Sequence, residues 1–284
     1  MTEDTVAIIV PAYKAEATLP ATLRSVLAQT FPDWLVYLVA DDGADYEAFL
    51  AASGLRDPRF RFLSSGGIGR GASNARNVAL EALTTPYAAI LDADDRFKPD
   101  KLARAVAALQ SHAVVTCALD VMTEDFRHLR FVGEGPDHVL RPGEHKFVSL
   151  SMDSMIVWDR RKTYGRYDAT MSNMTDLEFL LQLYRSVPAS YHLGTPAHDY
   201  IKRSGSMSNG ADTARGMIAS KREILRRLET GHYGLPARDV DGLAAFLAIS
   251  LQAEQLYGDA LTQNPGLLFE DHLQPMLQTK TAAR

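Results

Sequence analysis

Apolar residues in the first part of the chain come in short runs that end abruptly in polar ones. Val6–Val10 is continuously apolar and is broken by Pro11, Ala12 and Tyr13, which predicts a buried strand opening into a loop. Ala17–Thr30 carries Leu19, Leu23, Val26 and Leu27 at helical spacing, and Pro32 stops it. Trp34–Ala40 predicts a second strand that ends at Asp41, Asp42 and Gly43. A helix around Tyr46–Ala52 and a short strand, Arg59–Leu63, follow. Ser64–Gly71 holds four glycines in eight positions, and Ala72–Leu83 predicts a helix leaving that loop. Ala88–Leu91 is a fourth buried strand, ending in three carboxylates: Asp92, Asp94 and Asp95.

Strands alternating with helices predict an α/β fold, a mostly parallel sheet with helices on both faces. In such sheets ligands bind at the carboxyl ends of the strands. Polar residues gather at that end here: Tyr13 after the first strand, Asp41 and Asp42 after the second, and the acidic triplet after the fourth. Further on, Lys101–Gln110 predicts a helix and Ala113–Leu119 a strand. Phe126–Val132 and a turn-rich stretch with Gly133, Gly135, Pro136, Pro142 and Gly143 predict a hairpin or irregular insertion. Met155–Trp158 reads as a strand, Asp176–Arg185 as an amphipathic helix, and Tyr191–Leu193 and Ala197–Ile201 as two short strands.

From about Thr213 the pattern becomes wholly helical. This divides the chain into a unit over residues 1–210 and a helical C-terminal appendage over 211–284. Met217, Ile218, Lys221, Ile224, Leu225 and Leu228 form a helical stripe among Arg215, Arg222, Arg226 and Arg227. Such a basic amphipathic helix serves either as a core face with a solvated back or as a membrane-surface helix. Leu243–Leu256 is apolar enough, if left exposed, to predict a homodimer contact.

Composition narrows the class. The chain has 284 residues, 46% of them hydrophobic and 23% charged, as in an ordinary soluble globular protein. A formal net charge of -5 argues against a nucleic-acid partner. A single cysteine, Cys117, excludes an intrachain disulfide. The first residues lack the basic start of a signal peptide, and no apolar run approaches the ~20 residues of a membrane helix. These features predict a cytoplasmic location, with any membrane contact peripheral and on the inner face.

The acidic triplet carries the first candidate chemistry. In an extended chain residues i and i+2 share a face, so Asp92 and Asp94 project together. Crowded carboxylates repel unless a positive charge sits between them, and a hard divalent cation meets that need while keeping positions open for phosphate oxygens. A solvated turn, or a cap for the helix near Pro99, is the alternative.

Five segments in order resemble the family-2 glycosyltransferases, inverting enzymes with the A-type nucleotide-sugar fold. They are Val6–Tyr13 with the Leu19…Thr30 helix; Leu38–Gly43; Gly69 with Ala75-Arg76-Asn77; Leu91–Asp95 with Pro99 and Leu102; and Gly165–Asp168, Thr175–Phe179 and Tyr200…Ser208. The similarity covers roughly residues 5–210. It implies that Pro11, Ala12 and Tyr13 line a nucleobase pocket, that Asp42 accepts from a uracil-like N–H, and that Arg76 lies near the base or diphosphate. Asp92, Ala93 and Asp94 match the family's Asp-x-Asp motif. By resemblance Asp94 contacts a Mn2+ or Mg2+ ion, Asp92 lies nearer the ribose and Asp95 nearer the sugar. Asp176 matches the catalytic base, although the usual preceding glutamate is Thr175 here. Read alone, Asp176 is also a helix N-cap candidate. Arg203, Ser206 and Ser208 resemble the loop that closes over the donor diphosphate.

The implied function is metal-dependent, inverting transfer of a single sugar from a nucleoside diphosphate donor, a UDP-sugar by resemblance, to a saccharide or saccharide-lipid hydroxyl in polysaccharide biosynthesis. Two alternatives remain at this level. A sugar-phosphate nucleotidyltransferase would want a glycine-rich loop after the first strand, where Pro11-Ala12-Tyr13-Lys14-Ala15 has none. A non-catalytic nucleotide-binding scaffold would not need the intact acids.

Overall fold

The computed structural model describes residues 4–203 and 211–281. The elements run β1 (Val6–Ala12), α1 (Leu19–Leu27), β2 (Trp34–Ala40), α2 (Tyr46–Ala52), β3 (Phe60–Ser64), α3 (Ala72–Ala82), β4 (Tyr87–Ile90), β5 (Arg96–Phe97), α4 (Lys101–Leu109) and β6 (Val114–Thr123). They continue with β7 (His128–Val132), β8 (His138–Leu140), α5 (Pro142–Val148), β9 (Val157–Asp159), α6 (Thr175–Leu183), β10 (Ser190–Lys202), α7 (Ala211–Glu229), α8 (Ala237–Gln263) and α9 (Phe269–Thr281).

One mixed sheet is ordered β3-β2-β1-β4-β9-β6-β10-β5, with β7 paired to β6 and β8 to β10. Its first four strands are parallel, and β9 lies antiparallel between β4 and β6. The order reverses between β1 and β4, where an open α/β sheet leaves a crevice at its carboxyl edge. Strand alternation divides the core in two. Val6, Ile8 and Val10 face one layer with Leu19, Leu23, Leu102 and Leu109, while Ala7 and Ile9 face the other with Ala75, Phe179, Leu243 and Phe246.

Three sequence expectations change. The two short strands near the end of the 1–210 unit are one strand, β10, with a register shift between Leu193 and His198. Gly194 and Pro196 interrupt the apolar pattern there because the backbone passes so close to Gly135 that a side chain at Gly194 would collide with its carbonyl. The turn-rich stretch does form the β6–β7 hairpin but also contains β8 and α5, because Pro142 opens a helix rather than breaking one. Finally, the Leu243–Leu256 stretch is not an exposed patch. Leu243, Phe246, Leu247, Ile249 and Ala253 are buried in the chain's own second core layer, so the apolar reason for a dimer contact disappears. Ile224 and Leu228 of α7 enter the same layer. Among the described residues no helix is long and apolar enough to cross a membrane.

Candidate active site

The carboxyl ends of β1, β2 and β4, the first turns of α3 and α6, and the end of β10 meet at one edge of the sheet. Asp42 ties two of these ends together. Its Oδ2 accepts from the backbone N–H of Lys14 (2.5 Å) and from the Tyr46 hydroxyl (2.8 Å), and its Oδ1 accepts from Ala44 N–H (2.9 Å). These bonds hold its carboxyl below the ordinary range against the opposing effect of burial, which is the largest single influence. Tyr13 beside it is 50% exposed, so its ring is open to a ligand. Ala12 is packed into the core, and its carbonyl accepts from Asp41 N–H. Pro11 is half-buried on the same strand.

Asp41 does not face the crevice. It is buried and organises the glycine-rich loop: Oδ1 accepts from Ser65 Oγ (2.5 Å) and Arg70 N–H (2.9 Å), and Oδ2 from Gly71 N–H (2.8 Å). Gly71 takes φ 91° to turn the chain into α3, a conformation that favours glycine. That turn delivers Arg76, which is buried one helical turn further on.

Arg76 is the hub. Its Nη2 lies 2.6 Å from Asp92 Oδ1 and its Nη1 lies 3.0 Å from Asp176 Oδ1. The two carboxylates keep 28% and 26% of their side-chain surface exposed, so they present their outer sides to the crevice while sharing one buried cation behind. The guanidinium also lies 5.0 Å from the centre of the Tyr167 ring. Tyr167 stacks on Phe179 of α6 with centroids 4.3 Å apart. Its backbone is pinned to α3 by a two-way amide pair with Asn77 (2.8 Å each). Arg76, Asn77 and Tyr167 therefore lock α3, the segment before α6, and α6 into one frame.

Asp176 sits in the first turn of α6. It is not the N-cap. Met174 holds that position in a left-handed conformation, φ 55° and ψ 24°, which is uncommon for a non-glycine residue. Burial pushes the Asp176 carboxyl up to about 6, opposed by Arg76 and reinforced by Asp92 and Asp153. Asp153 is itself held by Lys146 (2.9 Å) and His145 (2.9 Å) from α5.

The acidic triplet divides. Burial, then the charge of Asp92, push Asp94 up to about 6, with Arg203 opposing. Ala93 is fastened to α1 by its carbonyl, which accepts from Thr22 Oγ1 (3.0 Å). Asp95 is buried and turned away from the crevice toward β10: Oδ1 accepts from Ile201 N–H (2.8 Å) and Oδ2 lies 3.2 Å from His198 Nε2. Ser206 and Ser208 lie outside the described residues.

Glu178 points away from the crevice, as its place two residues beyond Asp176 predicts. It is fully buried and paired with Arg227 of α7 (2.9 Å), which also reaches Asp168 (2.5 Å). Tyr167, Asn77 and Arg227 are contributions that sequence reading did not assign. Tyr167 and Asn77 sit inside motifs already noted, whereas Arg227 carries no local signal.

Residues 7–176 match the family model described as glycosyl transferase family 2, more than half of the chain. The putative teichuronic acid biosynthesis glycosyltransferase TuaG of Bacillus subtilis is 36% identical over 209 residues, covering 72% of this chain and 81% of that protein. The Escherichia coli UDP-Glc:alpha-D-GlcNAc-diphosphoundecaprenol beta-1,3-glucosyltransferase WfgD is 37% identical over 97 residues, covering 34% of this chain and only 38% of its own length. Among solved structures, Staphylococcus aureus TarS residues 1–349 in complex with UDP-GlcNAc superposes with a TM-score of 0.66 at 16% identity, covering 93% of this chain and 76% of that one. That likeness is one of fold.

Proposed function

The chain belongs to glycosyl transferase family 2, and from that premise we propose that it moves one sugar, with inversion, from a UDP-sugar to a hydroxyl of a saccharide or saccharide-lipid acceptor. The observation that carries this reading is the Arg76 bridge, which sets the donor-side acid Asp92 and the base-side acid Asp176 on one crevice. The UDP-sugar named in WfgD and bound in TarS supports the donor class, and the diphosphoundecaprenol in the WfgD name supports a lipid-linked acceptor. Family membership leaves nucleotidyl transfer without support.

Asp176 is the general base. It takes the proton of the acceptor hydroxyl as that oxygen forms its bond to the anomeric carbon, while the bond from that carbon to the diphosphate oxygen breaks on the opposite side. A carboxylate held near 6 is mostly ionised at neutral pH yet basic enough to accept a proton. Arg76 keeps it oriented and ionised. Tyr13 and Asp42 define the wall against which the base and ribose rest, with the Asp42 carboxylate offering its remaining acceptor capacity to a uracil N–H.

Asp92 and Asp94 fit a hard divalent ion, because the charge of Asp92 and burial leave Asp94 a poorly compensated oxygen donor. Among the described residues no three His, Cys, Asp or Glu side chains form a closed metal site, so these two acids would share the ion with donor phosphates and water. Mn2+ or Mg2+ held there would neutralise charge growing on the departing diphosphate. Arg203 adds a protein cation near Asp94.

The test is Asp176→Asn, compared with wild type for UDP binding by calorimetry and for transfer from UDP-sugars. Binding is expected to persist while transfer falls by roughly 10²–10⁴-fold, the usual contribution of a positioned base. Transfer by the Asn variant near the wild-type rate would overturn the base assignment. Metal-dependent nucleotide binding with no turnover of any donor by wild type would favour a non-catalytic scaffold.

A further inference from the structure

A line of three buried ionisable side chains runs behind the crevice and takes no part in the mechanism above. Lys101 of α4 is 1% exposed, His198 of β10 is fully buried and Asp95 is 1% exposed. Lys101 Nζ lies 2.8 Å from His198 Nδ1, and His198 Nε2 lies 3.2 Å from Asp95 Oδ2. An ammonium can only donate, so Nδ1 is the acceptor and the imidazole proton sits on Nε2, aimed at Asp95 Oδ2. Burial and the nearby Lys101 charge keep His198 neutral, its pKa lowered well below the ordinary value. The Phe97 ring closes the line from solvent, 4.0 Å from Lys101 Nζ and 5.6 Å from the His198 ring.

The placement of this line has a mechanical meaning. The short strand β5 pairs with β10 only at Phe97 with His198 and Arg96 with Asp199. Beyond that pair Asp95 takes over, its Oδ1 accepting the Ile201 N–H that β5 no longer reaches. Asp94 directly precedes Asp95 in the chain, and Arg203, the residue just after β10 ends at Lys202, exerts its charge on Asp94. Asp95 therefore links the acidic end of β4 to the end of β10.

We infer that Lys101 and His198 are positioning residues that hold Asp95 in place and so keep the Asp92–Asp94 acids in register with the end of β10 and with Arg203, which follows it. This rests on the donor-site reading of Asp92 and Asp94. Removing the line lets the acidic loop and β10 shift relative to each other, which weakens binding of a diphosphate with its cation more than it weakens the fold.

Three variants separate this role from simple packing. His198→Leu fills the space without either hydrogen bond. His198→Gln restores both, because its amide oxygen accepts from Lys101 and its NH2 donates to Asp95. Lys101→Met removes the far end and carries the comparison if the leucine variant does not fold. Calorimetric titration of UDP with and without Mn2+ is the readout, beside thermal unfolding of each variant. The expected result is about a 10–100-fold loss of UDP affinity in Mn2+ for His198→Leu and Lys101→Met, the usual effect of removing an outer partner of a metal site. His198→Gln should stay close to wild type, and metal-free UDP binding should change little in all three. Folded variants that bind UDP with Mn2+ as tightly as wild type, or a Gln variant as weak as Leu, would overturn the inference. A wild-type protein that binds no UDP under either condition overturns the donor-site reading itself, and with it the premise of this one.

Discussion

At the residue scale the site is built by sharing one cation between two acids. Arg76 is buried, and its guanidinium spans Asp92 and Asp176, so each carboxylate is oriented by the same planar fork. A lysine offers a point charge and cannot hold both. Arg76→Lys is therefore expected to lower kcat at least about tenfold, a loss on the scale of misplaced catalytic groups, with the fold retained. Steady-state kinetics beside a thermal melt checks this. The base also predicts a pH profile. The raised Asp176 pKa places the protonated, inactive form below about 6, so transfer should fall on the acid side with a midpoint near that value and not near 4. A rate profile of kcat/KM against pH measures it, and a flat profile down to pH 4.5 would remove Asp176 as the base.

At the element scale the first turn of α6 must be held against α3 and α7. Tyr167 and Phe179 stack between them, and Arg227 of α7 reaches both Asp168 and fully buried Glu178. Arg227 is little exposed, and its loss would strand two acids without a counter-charge. Arg227→Met is expected to cost roughly 3–5 kcal/mol of stability, the range for breaking a buried pair by removing one partner. Urea denaturation would read this directly. A loss under 1 kcal/mol would mean that water replaces the pair. The left-handed Met174 at the start of the same helix is the other local signature of an element held to serve the site.

At the scale of the whole molecule the C-terminal helices form part of the main core. Ile224, Leu228, Leu243, Phe246 and Leu247 share one buried layer with Ala7, Ile9 and Phe179. Helices α5 and α8 approach so closely at Gly143 and Gly242 that a Cβ on Gly242 would lie 2.4 Å from the Gly143 carbonyl oxygen. Gly242→Val is expected to push these helices apart and lower the melting temperature by several degrees, consistent with the roughly 1–3 kcal/mol typical of overpacking. A melt within a degree of wild type would show that α8 can slide without cost.

Local sequence determined the strands, most helices and the edge where the site lies. Short continuous apolar runs, and the polar residues that end them, act over a few neighbouring positions. Family-like segments in the sequence also mark Asp42, Arg76, Asp92, Asp94 and Asp176. The buried place of Lys101 was half-legible, since it stands in line with Ala105 and Leu109 on the apolar stripe of α4. Its partner His198 lies 97 residues away, and no local pattern announces that pairing. The same holds for Arg227 with Glu178, for Asp41 turned inward onto the glycine loop, and for the Leu243–Leu256 stripe. An isolated stretch shows that an apolar face must be covered or a charge compensated, but not by what. Only the packed chain decides whether the cover is a second molecule or the chain's own sheet, because that choice depends on which distant elements the topology brings within a few ångströms.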